Sequence, residues 1–78
     1  MKNEITVFST PTCPWCFKLK DYLKENNIDF TDVNVAADYD SALKMVEKSG
    51  QMGVPQIWIG DQVIVGFDKQ SIDQELGL

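Results

Sequence analysis

Apolar residues recur along this chain with two different periods, and the switches between them mark out its elements. Glu4-Ile5-Thr6-Val7-Phe8-Ser9 is dense in β-branched and aromatic residues with no breaker, which predicts a strand, and Ser9-Thr10-Pro11-Thr12 ends it as a loop. From Pro14 to Asn26 the period lengthens. Trp15, Cys16, Leu19, Tyr22 and Leu23 share one face while Lys18, Asp21, Lys24 and Glu25 share the other, the pattern of an amphipathic helix closed by Asn26-Asn27. Phe17 falls off that stripe, either covering a neighbouring loop, the ordinary role of a lone surface aromatic, or exposed beside a site. In Phe30-Thr31-Asp32-Val33-Asn34-Val35, Phe30, Asp32 and Asn34 alternate with Thr31, Val33 and Val35, as suits a strand at a sheet edge with one wet face. A second helix, capped by Asp38 or Asp40, runs to about Ser49 with Ala42, Leu43, Val46 and Tyr39 turned inward, and Gly50 is its natural stop.

Gln51-Met52-Gly53-Val54-Pro55 then reads as a loop, and a proline abutting the dense strand Gln56-Ile57-Trp58-Ile59 invites a cis Val54-Pro55 bond. Gly60-Asp61-Gln62 turns tightly into Val63-Ile64-Val65, which predicts an antiparallel hairpin ended by Gly66-Phe67-Asp68. Lys69 to Leu76 is a short helix that docks through Ile72 and Leu76 and is capped by Asp68. The order is β-α-β-α-β-β-α, an α/β arrangement in which the crossover helix makes the first two strands parallel. A four-stranded mixed sheet flanked by three helices is expected.

At 78 residues the chain is expected to be one domain over 1–78, near the size at which a single core only just supports folding, and to act as a monomer. Seven Lys plus Arg against twelve Asp plus Glu leave a net charge of −5, which argues against nucleic acid and gives no membrane-surface signal. Met1-Lys2-Asn3-Glu4 precedes only a short strand-like run, too short for a signal-peptide core or a spanning helix, so a cytoplasmic protein is expected.

Both cysteines lie in Cys13-Pro14-Trp15-Cys16, between the first strand and the first helix. That context puts Cys13 at a helix N-terminus, where free N–H groups and the positive dipole end favour a thiolate, so Cys13 is the candidate nucleophile. Pro14 fits the first helical position, and the spacing lets Cys16 approach from one turn deeper. A structural disulfide framework usually carries four or more cysteines at wider spacings. A structural zinc site wants four Cys or His ligands, and this chain has two Cys and no His, so no metal is expected. The absence of histidine also removes Ser-His, Cys-His and His-metal catalysis. What is left is reversible dithiol chemistry, against an adaptor with incidental cysteines. Trp15 is either packed on its neighbours or, exposed on the motif, a contact surface for partner proteins.

The order of elements, Thr12-Cys13-Pro14-Trp15-Cys16, the run from Ser49 to Gly60 and Val65-Gly66-Phe67-Asp68 together resemble the glutaredoxin branch of the thioredoxin fold over nearly the whole chain. The resemblance implies a thiol-disulfide oxidoreductase in which Cys13 attacks the disulfide, Cys16 resolves the mixed disulfide, and Pro55 is cis and faces the cysteines. It implies glutathione as co-substrate, its cysteinyl backbone paired with Val54 and its γ-glutamyl end held by Phe67 and Asp68. Thr12, Pro14, Trp15 and Gln51 are implied substrate contacts. Where the family commonly has a lysine three residues before the first cysteine this chain has Thr10, and Gln51 stands where a basic residue is often found. Gly66-Phe67 resembles the small redoxins that feed ribonucleotide reductase. The implied partners are therefore disulfide-containing proteins, with glutathione as the expected electron donor and a thioredoxin-reductase-type flavoprotein as the alternative. Some glutaredoxins instead hold an iron-sulfur cluster between two subunits with glutathione, a role that Pro14 and the two thiols of one chain disfavour.

Overall fold

The computed structural model describes residues 4–78, so the Met1-Lys2-Asn3 part of the N-terminal expectation lies outside the described residues. The elements are β1 (Ile5–Ser9), α1 (Pro14–Glu25), β2 (Thr31–Asn34), α2 (Tyr39–Ser49), β3 (Gln56–Ile59), β4 (Gln62–Val65) and α3 (Lys69–Leu76). One sheet holds all four strands in the order β2-β1-β3-β4. β1 pairs parallel with β2 and antiparallel with β3, and β3 pairs antiparallel with β4, which is the expected mixed sheet with β2 on an edge. The chain has the thioredoxin-like fold.

Alternation along the central strands decides what each face buries. Ile5 and Val7 of β1 stand opposite Ile59 and Ile57 of β3, and with Ile64 they meet Leu19 and Leu23 of α1 and Ile72 of α3 in the main core. Leu19, Leu23, Ile57 and Ile72 have no exposed surface, and each such side chain contributes about 1.5–3 kcal/mol of hydrophobic stabilisation. The other face carries Phe8 and Trp58, whose ring centroids are 4.5 Å apart, and Lys48 of α2 lies 4.6 Å over the Trp58 ring. Helices therefore cover both faces of the sheet.

The bounds of three strands and one helix face differ from the sequence expectation; β2 is shorter at both ends, Phe30 and Val35 lying outside it. Glu4 stays outside β1 although its carbonyl accepts the Gly60 N–H at 2.9 Å, and β4 begins at Gln62 because Gly60-Asp61 alone forms the turn. In α2 the buried residue is Met45, with Ala42, Val46 and Ser49 half-buried beside it, while Tyr39 is 74% and Leu43 44% exposed. The buried stripe is Ala42-Met45-Val46-Ser49 at i, i+3, i+4 and i+7, which keeps the expected Ala42 and Val46 and leaves Leu43 on the flank of the helix and Tyr39 exposed in its first turn. Bulk at positions 39 and 43 pointed to the wrong face; a methionine and a serine fill the right one.

β2 is tied to the sheet by more than its ladder. Ser9 Oγ donates to Asp32 Oδ1 at 2.7 Å and Lys20 Nζ to Asp32 Oδ2 at 3.0 Å, joining β1, β2 and α1. The helix ends carry the capping residues that the sequence supplies, with Asp38 accepting the Ser41 N–H at 3.1 Å and Asp68 the Ser71 N–H at 3.3 Å. Gly50 ends α2 at φ 75 with its N–H on the Val46 carbonyl at 2.7 Å. A Cβ there meets nothing within 4 Å, so Gly50→Ala carries only the backbone penalty of a left-handed conformation. That should cost about 1 kcal/mol, read as a lower urea midpoint, whereas Gly53→Ala, also in open space and without a positive φ, should cost nothing measurable. Equal losses at both positions would overturn the assignment.

Candidate active site

β1 runs out at Ser9, and the turn that follows delivers Cys13 to the start of α1. Cys13 is the N-cap residue, in an extended conformation at φ −97 and ψ 109, and Pro14 opens the helix where a missing N–H costs nothing. In place of the usual oxygen cap, the Cys13 sulfur accepts the Cys16 N–H at 3.3 Å. Its own S–H points at the Val54 carbonyl, 3.8 Å away. Cys13 is half-buried and Cys16 wholly buried, and both are free thiols. Burial first, and then its bond with Cys13, push the Cys16 thiol from its ordinary 9.0 up to about 11, against the opposing pull of the Thr10 backbone and, less, of the Lys20 cation. The pair is thus one reachable sulfur holding a backbone N–H and one enclosed, protonated sulfur behind it.

The second wall of the site is the loop before β3. Val54-Pro55 is cis, Pro55 is buried, and its carbonyl accepts the Gly66 N–H at 2.8 Å, which draws the Gly66-Phe67-Asp68 segment alongside. Ahead of it, Ser49 Oγ bonds the Met45 carbonyl at 2.8 Å and the Gln51 carbonyl at 3.1 Å and accepts the Gln51 N–H at 3.1 Å. The buried Gln56 side chain donates to the carbonyls of Gln51 and Gly53 at 3.0 and 2.9 Å.

Of the expected site residues, Cys13, Cys16 and Val54 come together directly, and Pro55 follows Val54 through the cis bond. Phe67 is packed on Tyr22 at 5.6 Å between centroids and against the main core, so it is a wall more than a contact. The Asp68 carboxylate is bonded to the Ser71 N–H and, at 2.8 Å, to the Ser71 hydroxyl, and still faces solvent. Thr12, Pro14 and Gln51 are exposed. Trp15 departs from the expectation that it lies on the inward face: it is 57% exposed, with Lys18 Nζ 4.4 Å over its ring. It occupies the first turn of α1 as the exposed, not the packed, alternative. Phe17 is 49% exposed, with Lys20 Nζ 5.2 Å from its ring. Sequence reasoning passed over Gln56 and the 80% exposed Met52. A polar residue opening an otherwise apolar strand was the available signal for the first. Among the described residues, no group of three or more His, Cys, Asp or Glu could hold a metal ion, and no helix is long and apolar enough to cross a membrane.

Comparison with known proteins agrees with this geometry. The family model for glutaredoxin matches residues 5–64. A glutaredoxin-like 8.6 kDa protein of the rubredoxin operon of Clostridium pasteurianum is 56% identical over 70 residues, covering 90% of this chain and 93% of that one. A glutaredoxin of Neisseria meningitidis serogroup B is 36% identical over 78 residues, covering 97% and 92%. Among solved structures, methanoredoxin of Methanosarcina acetivorans superposes with a TM-score of 0.86 at 29% identity, over 99% of this chain and 87% of that one.

Proposed function

This chain belongs to the glutaredoxin family, a family of thiol-disulfide oxidoreductases, and from that premise we propose that it reduces disulfides of proteins through Cys13 and Cys16, as one domain in the reducing cytoplasm. The observation that carries this is the unequal pair: a half-buried Cys13 sulfur holding the Cys16 N–H at 3.3 Å, and a wholly buried Cys16. Cys13 as thiolate attacks one sulfur of the substrate disulfide, forming a mixed disulfide and releasing the other sulfur as a thiolate that takes up a proton. Cys16 gives up its proton and attacks the Cys13 sulfur, closing the intramolecular disulfide and releasing the second substrate thiol. Two electrons pass to the substrate, and a donor must return two.

For that donor we favour a protein disulfide reductase of the flavoprotein class over glutathione. Thr10 and Gln51 are neutral at the places where a cation would meet the glycine carboxylate, and exposed Trp15 and Met52 flank the thiol and the Val54 loop with apolar surface suited to a protein. Glutathione is the second reading, supported by the family and by Val54, whose backbone can pair with an extended peptide. A coupled assay with NADPH and a flavoprotein thioredoxin reductase, run beside one with glutathione and glutathione reductase, separates the two. In the second assay wild-type turnover should be poor and Thr10→Lys should raise it about several-fold, more at low salt because an exposed charge is screened. High wild-type glutathione activity, unchanged by Thr10→Lys at any ionic strength, would overturn the preference.

A further inference from the structure

Gln56 is a costly residue to place where it is. Its side chain is 0% exposed at the start of a strand whose next residues are apolar, and its Oε1 has no hydrogen-bond partner among the described residues. An orphaned buried acceptor is destabilising, and an apolar side chain of the same shape would avoid it. What the amide gains in return is at its other end. Nε2 donates to the Gln51 and Gly53 carbonyls at 3.0 and 2.9 Å, and those two residues lie just ahead of Val54. The Pro55 carbonyl, just after Val54, is held by the Gly66 N–H at 2.8 Å. Val54 is therefore bracketed, with its carbonyl facing the Cys13 sulfur and its N–H bonded to no group among the described residues.

We infer that Gln56 is a positioning residue: its two N–H donors tether the 51–53 loop to β3 so that the Val54 backbone stands beside Cys13 ready to pair with an extended substrate strand. This rests on the oxidoreductase reading above and adds to it a residue that never meets the substrate. The loop has few other anchors. Residues 50–53 are exposed, and among the described residues the only other side-chain bonds to them come from Ser49, at the far end from Val54. With Gln56 unable to donate, the Gly53 carbonyl loses its partner and the segment leading into Val54 is free to wander. A displacement of about 1 Å at such a point is enough to lose substrate alignment.

Two variants of similar volume test it, Gln56→Leu and Gln56→Met, neither of which carries a donor for the two carbonyls. On a peptide disulfide substrate both should raise KM about tenfold with kcat changed less than about twofold, while Cys13 alkylates with iodoacetamide at the wild-type rate. A structural role alone would lower folded population, kcat and alkylation together, and that pattern would overturn the inference, as would wild-type KM in both variants. Should the variants fail to fold, the wild-type protein still decides: the Gln56 side-chain amide protons should exchange with solvent at least about a hundredfold more slowly than a free amide, and free exchange would overturn the tether. Absence of disulfide reduction by the wild-type protein would sink the functional reading, whereas slow exchange of that amide would still uphold the tether.

Discussion

Cys13→Ser should abolish disulfide reduction with either donor, whereas Cys16→Ser should still attack a disulfide once and then stop as a mixed disulfide visible by mass spectrometry. The asymmetry follows from reach and protonation. Cys16 has no exposed surface and its thiol is pushed up to about 11, so at neutral pH it is both hidden and protonated, and it cannot take over the first attack when Cys13 is gone. Cys13 needs no help from Cys16's sulfur to start, because the donor it accepts is the Cys16 backbone N–H, which a serine at position 16 keeps. Cys16→Ser should therefore be alkylated much faster than Cys13→Ser under native conditions at pH 7, because the first keeps a sulfur with exposed surface and the second keeps only the enclosed one. Equal rates in the two variants, or residual turnover in Cys13→Ser, would remove Cys13 from the nucleophile's role.

The pattern of the chain carried the fold because nearly every element was specified locally and consistently. Pro14 and Asp68 sit where helix starts want them, Gly50 where a helix stop needs φ 75, and Gly60 where a two-residue turn needs φ 58. The two thiols and the cis Val54-Pro55 bond were legible for the same reason, being tied to short motifs. What failed was anything that depended on which neighbour arrives from elsewhere. Trp15 has the right spacing to join Leu19 and Leu23, and the sequence left open whether it packs or stands exposed; the Val54 loop meets the first turn of α1 at Cys13 and Trp15 stays 57% exposed, whereas Phe67 comes to Tyr22 from 45 residues on, 5.6 Å between centroids. Leu43 lost the inner face of α2 to Met45, although leucine is the more usual core residue, because the sheet beneath sets the azimuth of the helix. Gln56 was unreadable as a tether because its partners are carbonyls, which carry no residue identity.

The buried thiol should also leave its mark on stability in alkali. In the dithiol protein Cys16 holds its proton up to about 11, against 9.0 for a free thiol, because the charged form would be desolvated and would sit beside Cys13. Below pH 9 the thiol is protonated in the folded and the unfolded chain alike, so its preference for the neutral form contributes fully and independently of pH. As pH rises from 9 towards 11 the unfolded chain releases this proton while the folded chain keeps it, so the unfolded state binds fewer protons and stability falls, by about 1.4 kcal/mol per pH unit. Roughly 2–3 kcal/mol should be gone by the time the folded thiol itself ionises. Tyr22 and Lys69 also titrate upward of their ordinary values, each through its bond with Asp73, and they add losses of the same sign in the same range. The contribution of Cys16 is therefore read as a difference: urea unfolding of the reduced wild-type protein and of Cys16→Ala, both with Tyr22 and Lys69 intact, from pH 8 to 11. The wild-type curve should fall more steeply, by about 2 kcal/mol over the range, and disulfide formation between Cys13 and Cys16 should remove the excess because no thiol is left to titrate. Parallel curves would mean that the Cys16 sulfur ionises as easily in the fold as outside it, and the division of labour between the two cysteines would lose its physical basis.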